Sequence, residues 1–139
     1  MFTAKVYNVM VGSLSGIMKE VTVVKEVIRD WNQKNAERSG KVFLNVDWAT
    51  KTEDAQKIDV VIGIVGNWIE NTELVEACIK EGKQVILFFN AYQDPGNTIS
   101  SELETVKAFW GRIQNQCHCL EYRSTAYLKT LMKEILNTL

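Results

Sequence analysis

Residues 58–83 read IDVVIGIVGNWIENTELVEACIKEGK, and this stretch decides the fold. From Asp59 to Val65 the run is almost wholly apolar and rich in β-branched residues, and it is bounded by Gly66-Asn67. That pattern predicts a strand buried on both faces, as in the centre of a parallel sheet. After a small polar loop, Thr72 to Glu81 carries Leu74, Ala77 and Cys78 at helical spacing, and Gly82-Lys83 supplies a helix stop. A second apolar run, Gln84 to Phe89, follows at once. Strand, helix and strand make a βαβ unit. In open α/β sheets ligands sit at the carboxyl ends of the strands, so Gly66 to Glu73 is the first segment to search for chemistry.

The same alternation runs outward in both directions. Lys5 to Val11 reads as a first strand emptying into Gly12-Ser13-Leu14-Ser15-Gly16. From Ile17 to about Lys34, Val21, Val24, Ile28 and Trp31 recur every three to four positions opposite a charged face, which predicts a long amphipathic helix. Ser39-Gly40 then precedes a second strand, Lys41 to Val46, that leads into Asp47-Trp48. Only twelve residues separate Val46 from Asp59, close to the minimum for a crossover between parallel strands. Beyond strand four, Ser100 or Ser101 caps a helix reaching about Asn115, His118 to Tyr122 is a fifth strand, and Ser124 to Leu139 is a final helix.

Five strands separated by helices predict one α/β domain: three layers, doubly wound, around a five-stranded parallel sheet. The flavodoxin-like order 2-1-3-4-5 follows from placing the most apolar strand, the third, near the centre. Its switch point falls between strands one and three. The loops Gly12–Gly16 and Gly66–Asn71 then face each other across one crevice, flanked by Trp48, Asn90 and Tyr92.

Composition narrows the partners. Sixteen basic and seventeen acidic residues, with no run of like charge, supply no electrostatic reason to expect nucleic acid or an anionic membrane. No stretch approaches the roughly 18 apolar residues of a membrane span, and the opening MFTAKVYNV has no signal-peptide layout, so a cytoplasmic location is expected. Cys78, Cys117 and Cys119 are expected as reduced thiols. Alternation along a strand sends His118 to the face opposite Cys117 and Cys119, so packing is a better account of Cys117-His118-Cys119 than a metal site.

The run VMVGSLSGIMKEVTVVKEVIRDWNQKNAERSGKVFLNVDW resembles the opening of a bacterial family of TIR-like domains. There a strand ends in a small-residue loop, a charged amphipathic helix ends in a Trp-Asn pair, and a second strand ends in Trp. The runs IDVVIGIVGNWIENTELVEACIKEGKQVILFF and LEYRSTAYLKTLMKEIL extend the resemblance over nearly the whole chain. Relatives with this architecture include TIR domains and nucleoside 2-deoxyribosyltransferases. The resemblance implies attack at the N-glycosidic bond of NAD or a nucleoside, as substrate or ligand rather than cofactor. It also implies a glutamate at the start of the helix after strand three, with Glu73 and Glu76 in the matching region. A carboxylate there stabilises an oxocarbenium-like centre at C1′ or acts as nucleophile.

Each feature has a plainer reading beside the functional one. Gly12, Ser13 and Ser15 either cradle a phosphate or form an ordinary βα turn. Gly66, Asn67 and Asn90 line the crevice by position alone. Trp48 and Trp68 either stack on a nucleobase or pack at the rim. Glu73 and Glu76 are also what a helix amino end favours without catalysis. Two function classes follow. One is a TIR-like nucleotide-binding domain that hydrolyses NAD or a nucleoside, or senses an NAD-derived signal in bacterial or phage defence. The other is a catalytically degenerate TIR-like module for self-association or for docking a TIR-type partner, favoured by the short crossover and by a spacing that puts the relatives' glutamate at Leu74, one residue from Glu73.

Overall fold

The computed structural model describes residues 3–15, 18–46, 57–66, 69, 72–90 and 100–139, and the side chains of all of these except 100–103. Nine elements follow in order: β1 (Lys5–Ser13), α1 (Met18–Ser39), β2 (Lys41–Val46), β3 (Val60–Val65), α2 (Thr72–Lys80), β4 (Gln84–Asn90), α3 (Ser100–Ile113), β5 (His118–Tyr122) and α4 (Thr125–Thr138). The sheet is all parallel in the order β2-β1-β3-β4-β5, as the apolar pattern of residues 59–65 requires. The twelve-residue crossover falls almost wholly outside the described residues.

Every residue of β3 is buried, because apolar side chains leave it on both faces. Val60, Ile62 and Ile64 join Val9, Val11, Ile86 and Phe88 in a core covered by α1 and α4. Val61 and Val65 join Met10, Val85, Leu87 and Phe89 in a second core covered by α2 and α3. The period-two alternation of the strands thus builds two separate apolar layers from the same residues of chain. Helix stripes complete them: Val21, Val24, Ile28 and Trp31 on α1, Leu128, Met132, Ile135 and Leu136 on α4, and Val106, Phe109 and Ile113 on α3 are buried. Trp110 is only half-buried and lies tilted against Phe89, with ring centroids 4.1 Å apart.

Two boundaries differ from the sequence expectation. Gly12 and Ser13 belong to β1 and pair with Gly63 and Ile64, so the loop after strand one starts two residues later. Helix α1 continues past Lys34 to Ser39, since Ala36 is still buried against the core, and stops where Gly40 takes a φ of 70°. Gly82, at φ 76°, ends α2 in a Schellman arrangement: Gly82 N–H donates to Ile79 O at 3.0 Å and Lys83 N–H to Cys78 O at 2.9 Å.

The Trp31-Asn32 pair does two jobs. Trp31 is buried, meets Phe43 edge-on at a centroid distance of 5.0 Å and donates its indole N–H to Asn137 Oδ1 at 2.9 Å, fastening α1 to α4. Asn32 turns to the edge strand β2: its Nδ2 donates to Phe43 O at 2.8 Å, and Phe43 N–H donates to its Oδ1 at 3.0 Å. An amide side chain here stands in for a neighbouring strand at one residue of the open edge. Asn32→Ala is therefore expected to lower stability by about 1–3 kcal/mol, the cost of leaving two backbone groups of a buried residue unpaired. Urea denaturation measures this, and a loss under about 0.5 kcal/mol would mean that water replaces the amide fully.

Candidate functional site

The switch point lies where β1 turns outward to β2 and β3 turns the other way to β4. Here the two strand ends are stitched together by side chains. Leu14 N–H donates to Ile64 O at 2.9 Å, extending the ladder by one bond past β1. Ser13 Oγ donates to Ile64 O at 3.2 Å and accepts Ser15 N–H at 3.0 Å, the geometry of a serine turn. Ser15 Oγ in turn accepts Gly66 N–H at 2.7 Å, a bond that is wholly buried. Ser13, Ser15, Gly12 and Gly66 are thus brought together, as the strand order requires. These bonds make the two hydroxyls ties between β1 and β3.

The two carboxylates sit elsewhere. Leu74, Val75 and Cys78 are the buried side of α2, so Glu73 and Glu76 turn away from the sheet. Both line an open groove of about 660 Å³ between α2 and α3, with Lys80, Arg112 and Gln116. Glu76 Oε1 accepts from Arg112 Nη2 across that groove, a half-exposed ion pair of the kind that contributes little to stability. Glu73 is exposed, lies in the first turn of α2, and makes no hydrogen bond or ion pair among the described residues. Neither Gly12–Ser15 nor Gly66 contributes to the lining of this groove. Asn90 is the last residue of β4, partly buried and in register with Tyr122. Trp48, Asn67, Trp68 and Tyr92 lie outside the described residues.

Two further polar groups at this end of the sheet were not singled out by spacing. Tyr122 ends β5 and is 2% exposed, and Glu20 is in the first turn of α1. The phenol oxygen of Tyr122 and Oε2 of Glu20 are both buried, with no hydrogen-bond partner among the described residues. Burial pushes the Tyr122 hydroxyl well above the ordinary phenol range, and the nearby Glu20 charge pushes in the same direction. The only sequence cue was an acidic residue early in α1.

At the start of β5, Cys117 Sγ and Cys119 Sγ stand 3.7 Å apart, and Cys117 Sγ lies 3.7 Å from Ile113 O. All three cysteines are free. Hydrogen bonding to Cys117 holds the Cys119 thiol below its ordinary range against the opposing effect of burial, while the same pairing and then burial push Cys117 up. Cys78 is raised chiefly by burial. Among the described residues no three His, Cys, Asp or Glu side chains gather closely enough to hold a metal ion. No helix among them is long and apolar enough to cross a membrane.

No family model matches the chain, and no curated protein matches it. Among solved structures it is similar to translation elongation factor SelB from Methanococcus maripaludis in its apo form, at 12% identity and a TM-score of 0.58 over 98% of this chain and 37% of that one. It is also similar to homoserine dehydrogenase from S. aureus at pH 6.0, at 13% identity and a TM-score of 0.51 over 86% of this chain and 33% of that one. At such identities the likeness concerns the α/β fold alone. The chain spans about a third of the length of these proteins.

Ser15→Ala should lower stability by about 1–3 kcal/mol, because it strands the buried Gly66 N–H; chemical denaturation reads this directly. One thiol of the Cys117–Cys119 pair should react with iodoacetamide before Cys78 as pH rises, because a hydrogen bond between the two sulfurs favours one thiolate whereas burial raises Cys78. Peptide mapping after brief labelling across pH 6 to 9 checks the order; faster labelling of Cys78 would contradict it.

Proposed function

We propose that this chain is a TIR-like nucleotide-binding domain that takes NAD or a nucleoside at the carboxyl ends of β1 and β3 and hydrolyses its N-glycosidic bond. The observation that supports this reading most is the switch point itself: two strand ends built of Gly12, Ser13, Ser15 and Gly66, drawn together where open α/β sheets hold ligands. The chemistry rests on Glu73, which lines the groove between α2 and α3, so the ligand must extend from the strand ends over the amino end of α2 to meet it. Glu73 opens the helix that follows β3 and is unengaged among the described residues, whereas Glu76 already faces Arg112. As the bond between C1′ and the base lengthens, positive charge builds on the ribose ring, and a carboxylate beside it lowers the barrier. Water then adds its oxygen to C1′, and its proton leaves to the departing base or to solvent. Such a domain would suit an NAD-consuming or NAD-sensing role in defence against phage.

A second reading is a catalytically silent TIR-like module that self-associates or docks a TIR-type partner. It is favoured by the hydrogen bonds that tie Ser13 and Ser15 to Ile64 and Gly66 within the chain, and by Val6 and Leu44. These two stand on the same face of β1 and β2, 49% and 48% exposed.

Incubation with NAD and with nucleosides separates the two. Release of nicotinamide or free base, reduced about 100-fold or more in Glu73→Ala, is the expected result, since removing one stabilising group at a developing charge typically costs 10²–10³ in rate. Loss in Glu76→Ala alone would move the role to that residue. Absence of release, together with no thermal shift from any nucleotide, would overturn the first reading. A particle mass that grows with concentration in light scattering, and falls back in Leu44→Lys, would support the second.

A further inference from the structure

Cys117 and Cys119 stand close enough to react with each other: their Sγ atoms are 3.7 Å apart, within hydrogen-bonding reach for sulfur. Both are partly exposed, whereas Cys78 is fully buried on α2. Cys117 occupies the bend that leads into β5, and its Sγ lies 3.7 Å from Ile113 O. Cys119 is the second residue of β5, in register with Leu87. Residues two apart along a strand face the same way, so both thiols pack on the side of α2 and α3, and His118 faces the other. Strand β5 is also the last in the sheet order, with β4 on one flank only. The pair therefore stands at an edge of the sheet rather than in its interior.

Packing against the core accounts for how far each thiol is buried. Two sulfurs side by side have a chemistry besides. Cα atoms two residues apart on an extended chain are separated by about 6.6 Å, within the roughly 4.4–6.8 Å that a disulfide spans. The sulfurs already point at one another, so a bond between them forms by turning side chains and not by moving the backbone. Among the described residues no third His, Cys, Asp or Glu gathers beside them, so they lack the ligand set of a structural zinc site. The hydrogen bond between the two sulfurs favours a thiolate on one of them, and a thiolate is the form that attacks a disulfide.

We propose that Cys117 and Cys119 form a thiol–disulfide exchange site for low-molecular-weight disulfides of the glutathione class. One thiolate of the pair attacks a sulfur of the small disulfide, whose S–S bond breaks; a mixed disulfide forms and one small thiolate leaves. The second cysteine gives its proton to solvent and attacks the protein sulfur of the mixed disulfide. That expels the second small thiolate and leaves a bond between Cys117 and Cys119. The protein dithiol is oxidised by two electrons and the small disulfide is reduced to two thiols, so no further oxidant enters. Reduced glutathione drives the same steps backward and restores the dithiol. This activity is independent of nucleotide binding and uses none of the residues at the ends of β1 and β3.

The test places the full chain, with oxygen excluded, in mixtures of glutathione disulfide and reduced glutathione, traps free thiols with a brief pulse of iodoacetamide before denaturation, and reads intact mass and peptide maps. The parent is compared with Cys117→Ser and Cys119→Ser. In excess glutathione disulfide the parent should lose two hydrogens through a link between Cys117 and Cys119, and regain them when reduced glutathione is in excess. Cys78 should stay unmodified throughout, which shows that the exchange takes place in the folded chain. At least one single variant should stop at one glutathione per chain, with about tenfold or more of that adduct than the parent holds, because closure within the pair outruns attack by free glutathione. A parent that stays reduced in excess glutathione disulfide would overturn the inference, as would one that collects glutathione on both cysteines without linking them. Modification of Cys78 as fast as the pair would overturn it too, since the reaction would then belong to an opened chain. If a serine variant fails to fold, the link in the parent and its reversal still decide the matter. Release of nicotinamide or free base is unaffected by any of these outcomes.

Discussion

A strand buried on both faces has no water to bond its backbone, so its N–H and C=O groups must be met on both flanks by other strands. In this chain β3 is that strand, and β1 and β4 are its flanks. Most else is a consequence. Six consecutive apolar residues need two apolar layers above and below, and so two pairs of helices: α1 with α4, and α2 with α3. Because β1 must sit beside β3 while also pairing with β2, the chain reverses its direction of winding at that junction. The crevice region is thus a product of the need to enclose β3.

Enclosure has a different result at the end of the strand than along it. The ladder between β1 and β3 runs out at Ser13 and Ile64, and the next backbone groups need other partners. Serine hydroxyls supply them, each small enough to reach a backbone group one or two residues away. The same end of the sheet leaves Tyr122 and Glu20 without such partners among the described residues.

The parts of this arrangement that could be read in the sequence were those set by one periodicity. The run from Asp59 to Val65 announces a central strand, the Val21–Trp31 stripe announces a helix face, and Gly82 marks a helix end whose Schellman bonds the structure displays. The strand order followed from these. What could not be read depends on where a hydroxyl, amide or carboxylate spends its bonds. Ser13 and Ser15 look the same in sequence whether they bind phosphate or backbone. Asn32 looks like any polar neighbour of a buried tryptophan, yet it closes a sheet edge. Glu76 and Arg112 meet only across the groove between α2 and α3, and no local spacing encodes such a meeting. Glu73 stands at the start of α2, but the groove it lines is formed with α3 and not with the strand ends.

The bond from Gly66 N–H to Ser15 Oγ spans 51 residues of chain. Closing so long a loop loses conformational entropy before the contact returns any, and parallel pairing of this kind is slow to form. During synthesis β1 meets β2 first, through α1, and acquires its inner neighbour only after residue 66 has been made. Until β3 arrives, the inner flank of β1, with Val9, Met10 and Val11, is an unpaired apolar edge, and the interval before its closure is when this chain is most exposed to association with another copy of itself.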